Sequence, residues 1–114
     1  MSAIEFRFMK TIHVNDASFE TEVSKSDKPV LIDFSAEWCP PCRALSPVLD
    51  EIAAENSERF KITKVDVEES PDLAASFKVR SLPTLLFVKD GKLLDQQIGA
   101  ISKREIVKRL EAIS

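Results

Sequence analysis

The segment Trp38-Cys39-Pro40-Pro41-Cys42 holds residue types at a spacing that can do chemistry. Two cysteines separated by two residues at the start of a helix stand within disulfide reach. A helix N-terminus presents unpaired N–H groups and positive partial charge, and both favour a thiolate. The thiolate is the species that attacks a disulfide. Cys39, just ahead of the helix, is the candidate attacking sulfur and is expected to be exposed. Cys42, in the first turn, is expected to be more buried and to resolve the mixed disulfide. Other uses of the pair fit less well. A purely structural bridge would close a very short loop, for which the chain-entropy model gives about 2 kcal/mol, against roughly 3 for a 15-residue loop. A structural zinc site needs about four protein ligands, and beyond the two cysteines the chain has a single histidine, His13.

Other side chains can serve such a pair. Asp33 interrupts the apolar run Val30-Leu31-Ile32-Asp33-Phe34. It either points to solvent from an edge strand or is a buried carboxyl near the cysteines. In the second case desolvation raises its pKa and lets it exchange a proton with Cys42 near neutral pH. Lys64 is either its cationic partner or a solvated lysine. Trp38 is a core indole or part of a docking surface, and its place before Cys39 favours the surface. Arg43 reads as a solvated first-turn residue, and His13 as a surface or strand-edge residue far from Cys39. Pro40 lacks an N–H and precedes another proline. The helix is therefore expected to begin near Pro41, with one donor fewer facing Cys39 than a glycine would leave.

The elements that must position these residues follow from periodicity. Residues 11–14 read as a short strand. Asn15 or Asp16 can cap a helix carrying Phe19 and Val23 on one face. Residues 29–35 suit a central strand buried on both faces. A helix runs from 41 to about 56, with Leu45, Val48, Leu49 and Ile52 on a stripe and a kink expected at Pro47. Residues 61–67 form a strand. Ser70-Pro71-Asp72 opens a short helix. Residues 84–89 and 92–98 form a hairpin about Asp90-Gly91. Ser102 and Glu105 make a capping box for the last helix, with Ile106, Leu110 and Ile113 buried. The chain has two glycines where average usage of about 7% would give about eight, so Gly91 and Gly99 are expected to do backbone jobs. The succession βαβαβαββα implies parallel strands joined by crossovers, with an antiparallel edge. Sites in such sheets lie beyond the carboxyl ends of the strands, and Cys39 follows the central one.

Composition narrows the function classes. The 114 residues suit one domain. Sixteen Lys and Arg against nineteen Asp and Glu give a net charge of −3, which argues against a nucleic-acid surface. The longest run of aliphatic and aromatic residues, Leu85-Leu86-Phe87-Val88, falls far short of the about 20 needed to span a membrane. Among residues 1–10, Glu5 and Arg7 interrupt the apolar ones, unlike a secretory signal. A cytoplasmic location is therefore expected, and in a reducing compartment a cysteine pair is more often catalytic or metal-binding than structural.

Asp33-Phe34, Ala36-Glu37-Trp38-Cys39, Pro41-Cys42, Lys64, Arg80, Leu82-Pro83-Thr84, Gly91 and Gly99-Ala100 together resemble the thioredoxin family, from about Thr11 to the end of the chain. The resemblance implies an α/β fold, a five-stranded mixed sheet of order 1-3-2-4-5 flanked by four helices, as one domain over residues 1–114. It implies a protein-disulfide reductase without a cofactor, acting as a monomer on oxidised protein disulfides, with thioredoxin reductase as electron donor. It favours Asp33 as the buried proton-exchanging acid and Lys64 as its partner. It implies a docking surface of Trp38, Pro40, Pro41, Leu82, Pro83, Ile98 and Gly99. The Leu82–Pro83 bond is implied to be cis, although cis is only about 5–6% of X–Pro bonds. Three positions depart from the pattern: Ser35 replaces a usual aromatic residue, and Pro40 and Ser81 replace glycines. Alternating Ile4, Phe6 and Phe8 belong to an N-terminal extension that would lengthen the first strand or fold over an edge. The Pro-Pro pair also resembles tryparedoxins and nucleoredoxins. A thiol oxidase or isomerase of the same fold is one alternative, although such relatives commonly carry histidine between the cysteines. A redox-independent docking module is another.

Overall fold

The computed structural model describes residues 11–114. The alternating residues of the N-terminal extension lie outside that range. The chain runs β1 (Ile12–His13), α1 (Glu20–Ser24), β2 (Val30–Ser35), α2 (Pro40–Glu55), β3 (Lys61–Asp66), α3 (Pro71–Ser76), β4 (Thr84–Lys89), β5 (Lys92–Ile98) and α4 (Lys103–Ala112). The strands form one sheet in the order β1-β3-β2-β4-β5. β1 and β2 run parallel to β3, while β4 is antiparallel to both β2 and β5. Element succession and strand order both match expectation.

β2 is central and buried at every position, which is why it reads as almost continuously apolar. Its side chains alternate between two layers. Leu31 packs with Leu45, Leu49 and Ile52 of α2 and with Ile106 and Leu110 of α4. Val30, Ile32 and Phe34 pack on the other face with Val23 of α1 and Ala74 of α3. Asp33 is two residues from Leu31 and so shares the α2 face. The hairpin between β4 and β5 turns at Asp90 and Gly91 with φ of 53° and 74°. Positive φ at both central residues is what a tight two-residue turn of this hand needs. A Cβ on Gly91 would also meet the Ser24 carbonyl at 3.3 Å, so the turn closes on the end of α1.

Several local expectations are corrected. α1 is a wide π-type turn, closed by Lys25 N–H donating to Glu20 O at 2.9 Å. Two apolar residues four apart do not distinguish that form from an α-helix. Asn15 supplies the turn before it, its Oδ1 accepting from the N–H groups of Ala17 and Ser18, each at 3.0 Å. α2 begins at Pro40, one residue earlier than expected, with Cys39 as its N-cap. First-turn N–H groups have no intrahelical acceptor, so two prolines there remove no helical bond; this outweighs the restriction that Pro41 places on residue 40. α2 then continues unbroken through Pro47, held by buried Leu45, Leu49, Ile52 and Ala53. The Arg43 carbonyl lacks the donor that residue 47 would otherwise supply. Ser70 stands at the N-cap of α3 without a side-chain capping bond. At α4, Ser102 Oγ accepts from Glu105 N–H at 3.2 Å, but the Glu105 carboxylate accepts from Arg109 Nε at 3.2 Å, so only half of the expected capping box forms. Ile106 and Leu110 are buried and Ile113 is half-buried. Lys103 Nζ donates to Glu51 and, at 2.6 Å, to Glu55, tying α4 to α2.

Candidate active site

The loop after β2 delivers the cysteines to the carboxyl end of the sheet. Val67 N–H donates to Ser35 O at 3.0 Å, carrying the β2–β3 pairing past the end of β3. Cys39 N–H donates to Ala36 O at 3.2 Å and closes the loop. Cys39 and Cys42 are joined by a disulfide, their Cα atoms 5.2 Å apart. The Cys42 N–H donates to Cys39 Sγ at 3.3 Å. An N-cap side chain takes its donor from the second or third helical residue. The second is Pro41, so the third, Cys42, supplies it. The N–H that Pro40 lacks belongs to the first helical residue, which is not a capping donor.

The expected contrast in burial is absent: Cys39 is 4% exposed and Cys42 3%. Both pack with Ala36, Val67 and Leu82. The two sulfur-bearing residues differ in what they face. Cys39 lines a groove of about 480 Å³ with Trp38, Pro40, Pro41, Val67, Val79, Arg80 and Leu82. Cys42 lines a cavity of about 550 Å³ whose walls include Ser35, Arg43, Ser46, Lys64 and Asp66.

Trp38 is 63% exposed at the groove and not a core indole. Its Nε1 donates to the Glu68 carboxylate. The sequence reading missed Glu68; its only signal is an acid just beyond the strand parallel to the one that leads to Trp38. Leu82 lines the groove, and the Leu82–Pro83 bond is cis. Pro83 is buried, and its carbonyl accepts from Gly99 N–H at 2.8 Å. Gly99 has φ of 91°, and Ile98, opposite Thr84 in the register, is 60% exposed. Pro83, Ile98 and Gly99 are thus joined to one another but are not part of the groove wall beside Cys39.

Asp33 is fully buried, and neither carboxyl oxygen has a hydrogen-bond partner among the described residues. Burial pushes its pKa up to about 7 from an ordinary value of 3.8, with the Lys64 charge pulling the other way. The edge-strand, solvent-facing reading of Asp33 does not hold. Lys64 is its register partner on β3. Its ammonium, however, donates to Ser46 Oγ on α2 at 2.7 Å. The long apolar stem carries the charge past the carboxyl toward the cavity. His13 is on the sheet edge as expected, paired in register with Lys64, but it is not remote from the redox pair: β1 lies next to β3, and His13 lines the cavity beside Cys42. Arg43 is exposed on the same rim. Ser35, where the family usually has an aromatic residue, also lines this cavity.

The family model for thioredoxin matches residues 10–112. The thioredoxin of Acidithiobacillus ferridurans is 45% identical over 101 residues, covering 89% of this chain and 94% of that protein. The thioredoxin of Haemophilus influenzae is 45% identical over 97 residues, covering 85% and 91%. The thioredoxin of Pseudomonas aeruginosa is 43% identical over 101 residues, covering 89% and 94%. With its disulfide at the carboxyl end of a 1-3-2-4-5 sheet and likeness running almost end to end, the chain belongs to the thioredoxin family of thiol–disulfide oxidoreductases.

Proposed function

We propose that this protein reduces protein disulfides, with Cys39 as the attacking thiol and Cys42 as the resolving one. The Cys39 thiolate attacks one substrate sulfur; a Cys39–substrate disulfide forms and the other substrate sulfur leaves as a thiolate, which takes a proton. Cys42, once deprotonated, attacks Cys39 Sγ. The substrate sulfur still bonded to Cys39 then leaves as a thiolate, which takes a proton, and the Cys39–Cys42 disulfide remains. A two-electron donor, proposed to be thioredoxin reductase, restores the dithiol. The observation that carries this assignment is the position of Cys39, on an apolar groove with its sulfur accepting the Cys42 N–H. A bond of that kind is stronger to a thiolate than to a thiol.

Asp33 is proposed to exchange the proton of Cys42, because its carboxyl is poised to change charge near neutral pH on the face that α2 covers. Lys64 tempers that carboxyl. Trp38, Pro40, Pro41 and Leu82 are proposed to dock the substrate chain around its disulfide, with Pro83, Ile98 and Gly99 extending the surface. Among the described residues no helix is long and apolar enough to cross a membrane. We assign the protein to the cytoplasm as a monomer.

Reduction of insulin, with the equilibrium against glutathione measured alongside, tests the reading. A reductase turns insulin over and holds a more reducing poise than glutathione. A more oxidising poise would make the protein an oxidase or isomerase, and absence of turnover would make it a docking module.

A further inference from the structure

We propose that Ser46 is a positioning residue of this site: its hydroxyl holds the Lys64 ammonium against α2 and away from the buried carboxyl of Asp33. The inference rests on the proton role proposed for Asp33, and it concerns what sets the pH range of that role.

Asp33 and Lys64 are register partners on neighbouring parallel strands. Their side chains leave the sheet on the same face, so the lysine stem starts beside the carboxyl. Opposite charges attract most strongly where water is scarce. An isolated pair so placed would be expected to meet. It does not: Lys64 Nζ is 2.7 Å from Ser46 Oγ, and both Asp33 oxygens lack a partner among the described residues.

Ser46 is four residues after Cys42 on α2, and residues at that spacing share a helix face. Both line the cavity that Lys64 enters. The hydroxyl has lone pairs to accept an ammonium proton, and the bond to Lys64 is the side-chain bond it makes among the described residues. Serine is a poorer helix former than alanine. Helix propensity therefore does not account for its presence mid-helix, whereas a hydroxyl facing the cavity does.

The charged groups around Asp33 leave Lys64 as the decisive one. β3 contributes Lys64 and Asp66, β1 contributes His13, α2 contributes Arg43, and the flanking loops contribute Glu37 and Glu69, all on the cavity wall. β4 opposes Asp33 with Leu85, and α4 packs on this face through Ile106 and Leu110. Lys64 is the cation in register with the carboxyl. Held on Ser46, it leaves Asp33 able to carry a proton near neutral pH. Released, it can turn to the carboxyl and favour the charged form.

The test is the titration of Asp33, followed by its carboxyl carbon resonance in the oxidised protein, where neither cysteine titrates. In Ser46→Ala the proton affinity of Asp33 should fall about tenfold, the lower end of what a close opposite charge does. Ser46→Thr keeps the hydroxyl and should keep the wild-type midpoint. In a Lys64→Met background, Ser46→Ala should shift nothing. An unchanged or raised midpoint in Ser46→Ala, or an equal fall without Lys64, overturns the proposal. The pH profile of disulfide reduction tests the reading beneath it. If the Asp33 midpoint falls and the profile stays, Ser46 positions Lys64 as stated but Asp33 is not the proton carrier.

Discussion

The two sides of the Cys39–Cys42 disulfide are built from different material. On the Cys39 side, prolines, aliphatic residues and an exposed indole line an open groove with Arg80 as its lining charge. On the Cys42 side, hydroxyls, three carboxylates and three cationic or imidazole side chains line a cavity, and Asp33, the register partner of one of those cations, is buried without a hydrogen-bond partner among the described residues. The sulfurs themselves are equally covered. In the proposed division of labour, two chemically identical residues take their roles from their surroundings: apolar contact on one side to hold a polypeptide, titratable groups on the other to handle a proton.

Exchanging the cysteines attacks that contrast most directly. Cys39→Ser should abolish disulfide reduction. Cys42→Ser should accumulate substrate bound covalently to Cys39, because the resolving thiol is gone. Mass spectrometry that finds substrate on Cys42 in the first variant, and none on Cys39 in the second, would reverse the two sides.

Asp33→Ala removes the buried acid from the proton side. An acid whose folded pKa is raised from 3.8 to about 7 keeps its proton in the folded state while the unfolded chain has released it. Stability therefore falls as pH climbs from about 4 to about 7 and is level above that. The alanine variant should be more stable by up to about 4 kcal/mol at about pH 8. The gain should vanish below about pH 4, and turnover should slow. Denaturant unfolding at both pH values reads the sign directly; a variant less stable at the higher pH and fully active would make Asp33 structural.

The groove side is probed by Trp38→Ala. KM for a protein disulfide should rise about three- to tenfold, the effect of losing one large docking side chain worth about 1 kcal/mol. The rate with a small aromatic disulfide reagent should be unchanged. Equal losses on both substrates would place Trp38 in the chemistry instead of the docking.

Pro40→Gly should do least. The donor aimed at Cys39 Sγ comes from Cys42, so an N–H restored at residue 40 lies at the wrong helical position. Thiolate absorbance of Cys39 should titrate almost identically in both proteins. A clear fall in the glycine variant would show that residue 40 does reach the sulfur once the disulfide opens.

Element succession and the place of the redox pair were legible because their signals are local or periodic, whereas the strand order came from the resemblance to the thioredoxin family. β2 announces itself by Val30, Leu31, Ile32 and Phe34, the hairpin by Asp90-Gly91, and α4 by Ser102. What stayed hidden are partnerships between side chains distant in sequence. Lys64 with Ser46 and Trp38 with Glu68 link elements across separations of 18 and 30 residues. Neither spacing leaves a periodic trace, and each depends on how far a flexible stem extends after packing. The start of α2 was misjudged for a related reason. The restriction that one proline places on its predecessor is local, whereas the N-cap geometry of Cys39 answers to the whole first turn.

Three of the first eight residues of α2, Pro40, Pro41 and Pro47, have no backbone N–H. From Leu49 onward the helix keeps an unbroken internal ladder and a fully buried stripe. Pro40 and Pro41 remove no helical bond, whereas Pro47 leaves the Arg43 carbonyl without its donor, and that one loss falls between the cysteine-bearing turns and the buried stripe. The consequence is mechanical. The first turn is expected to adjust as the sulfurs part and rejoin, while Leu45, Leu49 and Ile52 stay seated in the core. Amide exchange should therefore quicken on reduction at residues 42–46 and leave the Ile52–Glu55 amides untouched.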